Sequence, residues 1–128
     1  MPHSVNHSIT VDTARKLVDL RIGGLVSAED ATWIGEELRA AIRALGEDIG
    51  KHVTLYDASA VHVVPQETVE LIKHTLDNPA VRQLWARKIA FVVTTALAKL
   101  QVQRLREVRP DLGLFEDRES AIAWLMEP

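Results

Sequence analysis

Between Lys88 and Val93 the chain reads Lys-Ile-Ala-Phe-Val-Val, five apolar residues in succession, three of them β-branched. The run is far too short for a membrane span, which takes ~20 residues. It also lacks the polar alternation of a strand with one wet face. It predicts a strand buried on both faces, the kind found in parallel sheets with helices packed over them. An α/β layered fold is therefore the expectation, and the rest of the chain has to provide the layers.

It does so in order. Ile9 to Asp12 alternates apolar and polar residues, and Thr13-Ala14-Arg15 breaks the pattern. Lys16 to Ile22 resumes it, with Val18, Leu20 and Ile22 on one face and Asp19 and Arg21 on the other. The two segments read as a hairpin that Gly23-Gly24 closes. Ser27, followed by Glu29 and Asp30, has the pattern of a capped helix start. Ile34, Leu38, Ala41, Ile42 and Leu45 continue at helical spacing until Gly46 stops them. Val53 to Asp57 alternates again, a loop spans Ser59 to Val64, and Pro65 suits the first position of a helix carrying Val69, Ile72 and Leu76. Asn78-Pro79 opens a short helical piece with Val81, Leu84 and Trp85. Beyond the apolar strand, Thr94 or Thr95 caps a helix with Leu97, Leu100, Leu105 and Val108, stopped by Pro110. Leu112 to Phe115 is a short apolar strand, and Asp117 caps a last helix with Ala121, Ile122 and Leu125 inward.

The predicted order is β-β-α-β-α-(α)-β-α-β-α: about five strands, the first hairpin antiparallel and the later strands parallel, with four to five helices mainly on one face. Right-handed crossovers between sequential neighbours place every crossover helix on the same side of such a sheet. Thr10, Asp19, Arg21, Thr54 and Tyr56 are then expected to share the opposite face, either open or covered by a partner.

Composition narrows the class. At 128 residues, one core over residues 9–126 is expected, with residues 1–8 as an unstructured terminus holding His3 and His7. The chain has no cysteine, which excludes disulfides, thiolate metal sites and cysteine nucleophiles. No segment has the pattern of a signal peptide or a membrane span, so the cytoplasm is the expected location. The net charge of −3 is unevenly distributed. Residues 1–78 carry seven basic and twelve acidic side chains, whereas residues 79–109 carry Arg82, Arg87, Lys88, Lys99, Arg104, Arg106 and Arg109 against Glu107 alone. A nucleic-acid domain is usually basic throughout, so the basic stretch reads as a solvated face paired with acidic neighbours, and no nucleic-acid partner is expected.

Three segments carry a resemblance: the hairpin-to-helix passage Arg21 to Asp30, the strand end Leu55-Tyr56-Asp57-Ala58-Ser59-Ala60-Val61, and the tail Leu114 to Leu125. Together with the element order, they make the chain resemble the STAS superfamily from about Ile9 to Leu125. Within it, the likeness is to SpoIIAA-like bacterial proteins related to lipid-binding CRAL-TRIO domains. The resemblance implies a mixed α/β sheet and a protein-interaction or regulatory role. In the anti-sigma-factor antagonists of this superfamily, a serine at the start of the helix after the third strand is phosphorylated to switch partner binding. Here that stretch is Val63-Val64-Pro65-Gln66-Glu67-Thr68, with Gln66 and Glu67 where the serine would be and Thr68 the nearest hydroxyl.

Asp57, Ser59 and His62 have the residue types of a catalytic triad, but no nucleophile elbow or Gly-rich donor loop accompanies them. His62 and His74 with Asp57 or Glu70 could reach a metal, since Glu70 and His74 are four apart on a predicted helix. Neither pattern is complete, so no catalytic residue, metal or cofactor is assigned. The stronger argument is topological, because ligands of open parallel sheets gather beyond the carboxyl ends of the strands. That rim would hold Asp57, Ser59, His62, Thr94 and Thr95. The candidate contact surface adds Gln66 and the basic helix with Lys99, Arg104 and Arg106. Trp33, Trp85 and Trp124 are expected to be partly buried against the core. The expectation is a non-enzymatic interaction or regulatory module, with an unknown protein or a second copy of itself as partner. The alternative is a binder of a small apolar or lipid-like ligand, and a hydrolase using Asp57, Ser59 and His62 ranks third.

Overall fold

The computed structural model describes residues 5–128, apart from the side chains of His62 and Val63. Five strands form one sheet in sequential order: β1 (Val5–Asp12), β2 (Leu17–Leu25), β3 (Val53–Val63), β4 (Lys88–Val92) and β5 (Gly113–Phe115). β1 and β2 pair antiparallel and every later pair is parallel. The helices are α1 (Ala28–Arg43), α2 (Gln66–Asp77), the single turn α3 (Pro79–Arg82), α4 (Ala96–Leu105) and α5 (Arg118–Met126). Among the described residues, no helix is long and apolar enough to cross a membrane.

Sequential strand order puts the crossover helices on one side, as right-handed connection requires. Ile34, Leu38 and Ile42 of α1 pack on Val18 and Leu20 of β2. Val69 of α2 and Leu105 of α4 pack on Ile89 of β4 and on Leu112. The opposite face is not open. Ala121 and Leu125 of α5, both with no exposed surface, close over Leu17, Val53, Leu55, Ala90 and Val92. β4 is therefore buried on both sides, with Ile89 towards α2 and α4 and Ala90 and Val92 towards α5.

The expected face assignment holds for β2 but fails for β3. Thr10 pairs with Asp19, and Asp19 and Arg21 alternate with Leu20, so those three share the α5 side. Thr54 and Tyr56 lie on the crossover side: Thr54 is buried, and Tyr56 stacks on Phe91 at 4.7 Å. An alternating strand shows which residues share a face, not which face is apolar, and both faces of β3 are covered.

Three boundaries move. β1 begins at Val5, so residues 5–8, expected in an unstructured terminus, form half of its pairing with β2; residues 1–4 with His3 lie outside the described residues. β2 does not end at Gly23-Gly24 but runs to Leu25, its register against β3 shifting on both sides of the glycine pair. Gly23 permits this because a Cβ there would stand 2.9 Å from Ala60 Cβ. β3 accordingly extends to Val63, and Asp57, Ser59 and His62 sit on a strand rather than in a loop. Pro65 is the N-cap of α2 rather than its first helical residue.

Several local predictions are met atom for atom. Ser27 and Asp30 form a reciprocal capping box on α1, Thr95 caps α4 and Asp117 caps α5. On α4, Leu105 is buried as expected, but Leu97 and Leu100 are each 60% exposed and Val102 points inward in their place.

Candidate functional site

On the crossover side, α1, α2 and α4 arch over the sheet and leave a cavity of about 320 Å³. Its floor is Leu20 and Ile22 of β2, Tyr56 and Ala58 of β3 and Phe91 of β4. Ile34 and Leu38, Ile72 and Leu76, and Val102 and Leu105 supply walls from the three helices in turn. The space persists because Ala58 places a methyl group where its neighbours Tyr56 and Phe91 place rings. Between α2 and α4 the wall is closed by Gln101, whose Nε2 donates to the Val64 carbonyl at 2.7 Å.

Few polar groups line this space. Among the described residues, Arg39 is the one that is charged. The Tyr56 hydroxyl makes no hydrogen bond among the described residues. Burial pushes its pKa up to about 12, against the pull of the Arg39 and Arg109 charges, so it stays a neutral donor.

Asp57 and Ser59, singled out at the strand end, lie on the other side of the sheet. Asp57 is buried beneath the start of α5, where its Oδ1 accepts from the Ser59 amide at 3.1 Å and the Ser59 hydroxyl at 2.6 Å. Its Oδ2 accepts from Arg118 Nη1 at 3.0 Å, and Arg118 also grips both carboxylate oxygens of Asp19 at 3.2 and 2.6 Å. Burial alone would raise the Asp57 pKa, but the Ser59 hydroxyl, Arg118 and the Ser59 amide outweigh it and hold the carboxyl below its ordinary range. Thr94 joins the cluster by donating to the Ser59 carbonyl at 3.4 Å.

The described members form a brace. The Ser59 hydroxyl donates to a carboxylate that Arg118 already neutralises, so Asp57 itself is poorly suited to take its proton. Of His62 only the strand backbone is described. Glu70 pairs with Arg104, and among the described residues no group of three or more His, Asp or Glu gathers as metal ligands would. Thr68 has no exposed surface and donates to the Val26 carbonyl at 3.2 Å, while Gln66 stands exposed at the start of α2.

The basic segment is engaged within the molecule. Lys99 pairs with Glu116 and Arg104 with Glu70. Arg106 donates to the Leu112 carbonyl, and Arg87 and Lys88 to carbonyls at the end of α5. Arg109 is buried, stacked on Trp85 and bonded to the Ala86 carbonyl. Trp85 and Trp124 are half-buried, as expected, whereas Trp33 is 41% exposed with the His7 ring edge-on at 4.9 Å.

Sequence reasoning located the rim but missed the cavity and Arg118. Arg118 carried a signal, as a basic residue directly after the cap Asp117 where the helix dipole favours acids. The cavity left little: the run of small residues Ala58-Ser59-Ala60 on the strand, of which Ala58 lies on the floor.

No family model matches the chain, and no curated protein matches it. Among solved structures, it is similar to an uncharacterized protein of the DUF3478 family with a SpoIIAA-like fold from Shewanella loihica PV-4. The two share 16% identity over 98% of this chain and 96% of that one, with a TM-score of 0.66. It is also similar to an anti-sigma factor antagonist from Mycobacterium paratuberculosis, at 14% identity over 99% and 98% of the two chains and a TM-score of 0.60. What is shared at this distance is architecture: the chain has a SpoIIAA-like fold, with an antiparallel first pair and a parallel remainder.

Proposed function

We propose that this chain is a non-enzymatic binding module that takes a small apolar ligand between its sheet and the arch of α1, α2 and α4. The cavity of about 320 Å³ carries this reading. The space is partly open to solvent, and an apolar ligand seated in it would remove apolar lining from water, which is favourable by about 25 cal/mol per Å². The volume falls at the small end of ligand sites, roughly 300–1,000 Å³, and the lining is apolar with few polar groups, as such sites are. The test is a titration with the neutral fluorophore 1-N-phenylnaphthylamine, alongside native mass spectrometry of freshly purified protein. Binding of the fluorophore is expected in the parent chain and its loss in Ala58→Leu, which fills the floor, while both fold alike by circular dichroism. A parent chain that leaves the fluorophore in water would end the reading.

A second reading has its own observation. Leu97 and Leu100 lie three residues apart on α4, each 60% exposed, in the helix that follows Thr94 and Thr95. Paired exposed leucines on a helix favour a protein contact, with another protein or a second copy, and the anti-sigma factor antagonist of the same fold is in keeping with it. Light scattering would show self-association that Leu97→Ser with Leu100→Ser abolishes; an unchanged monomer would leave only a different protein as partner.

A further inference from the structure

Resting on the apolar-ligand reading, we propose that the cavity takes a single-chain carboxylate, an acyl chain of about ten carbons whose head group is held by Arg39. The length follows from volume: about 320 Å³ holds about ten groups of water size at about 30 Å³ each, too little for a two-chain lipid.

The head group follows from charge. Among the described residues, Arg39 is the one charged residue in the lining, no carboxylate lines the cavity with it, and it has no ion pair or hydrogen bond. That sets it apart from Lys99, Arg104, Arg109 and Arg118, each of which has its carboxylate. Arg39 is half-buried beside this apolar space, and an incoming anion would supply the counter-charge that the described residues do not.

The Arg39 side chain lies back over Gly35, one turn earlier on α1, where a Cβ would stand 2.9 Å from Nη1; the flexible guanidinium can move from that contact and turn towards a ligand. A single planar cation matches a monoanionic carboxylate with two parallel N–H donors, whereas a phosphate dianion calls for more positive charge than this wall holds. The unpartnered Tyr56 hydroxyl, near enough to feel the Arg39 charge, adds a neutral donor on the floor.

The experiment displaces bound 1-N-phenylnaphthylamine with decanoate, decanol or decyl phosphate, in the parent chain and in Arg39→Gln and Gly35→Ala. Loss of one charge-assisted hydrogen bond predicts that Arg39→Gln weakens decanoate about tenfold and changes decanol less than about twofold. Gly35→Ala, which favours the helix and only nudges the flexible guanidinium, is expected to weaken decanoate less than Arg39→Gln does. Equal effects of Arg39→Gln on decanoate and decanol, or none on either, would overturn the head-group assignment while leaving the apolar-ligand reading intact. Tighter displacement by decyl phosphate than by decanoate would overturn the carboxylate in favour of a phosphate. Failure of the fluorophore itself to bind would remove the underlying reading and this inference with it.

Discussion

Arg118 joins two carboxylates that the sheet brings side by side, Asp19 on β2 and Asp57 on β3, and so fastens α5 to the strands it covers. The two acids are 13% and 8% exposed, and removing the cation would leave them facing each other in a poorly hydrated space. Arg118→Met should therefore cost about 3 kcal/mol, near the low end for a broken buried pair because the guanidinium itself reaches solvent. The same brace predicts an acid limb. Asp57 titrates below its unfolded value of 3.8, so its contribution is complete above that pH and disappears as the pH falls through the folded value. Urea midpoints measured between about pH 6 and pH 3 should drop more steeply in the parent chain than in Asp57→Asn, and parallel curves would refute the brace. Asp57 and Ser59 stood out in the sequence, but their purpose did not. Their partner lies 61 residues away from Asp57, and no local pattern reports a contact at that separation.

The elements differ in how openly they announce themselves. Caps are local, and Ser27, Thr95 and Asp117 each bond a backbone amide within their own first turn, so their residue types alone expose them. Strand ends depend on neighbours, which is why β2 and β3 outrun their apolar patterns: each continues as long as the other offers hydrogen bonds. The orientation of α4 was hidden for a further reason. It is apolar on both faces, and spacing alone cannot tell the leucines that stay outside from the Val102 and Leu105 that go in. β5, only three residues long, holds its place through shape. A Cβ at Gly113 would stand 2.7 Å from both Phe115 Cε2 and Trp124 Cζ3, so the bare backbone is what lets α5 lie flat there. Gly113→Ala should cost about 1–3 kcal/mol, the usual range for overpacking, read as a lower urea midpoint with an unchanged slope. An unchanged midpoint would mean that the rings move aside freely.

At the scale of the molecule, the sheet separates two kinds of interior. The α5 side is filled and braced, while the crossover side encloses open volume. Ligand in that volume should stabilise the whole chain by mass action, about 2.7 kcal/mol at a hundredfold excess over Kd, or about 10 °C in Tm for a domain of this size. Differential scanning calorimetry with decanoate measures it, and a Tm indifferent to ligand in a chain that binds the fluorophore would exclude decanoate from the site. The layered α/β architecture was legible because burial on both faces of β4 is written in consecutive residues. The cavity was not, because empty space is a relation among six elements and belongs to no stretch of sequence.

The brace also sets an order of events in synthesis. Arg118 and Asp19 are separated by 99 positions, so β2 waits for its counter-charge through most of translation. Until residues 118–126 have been made, Leu17, Val53, Leu55, Ala90 and Val92 form a bare apolar surface on a sheet whose other side is already roofed. Nascent chains stalled just short of Arg118 are thus the species on which a chaperone has most to hold.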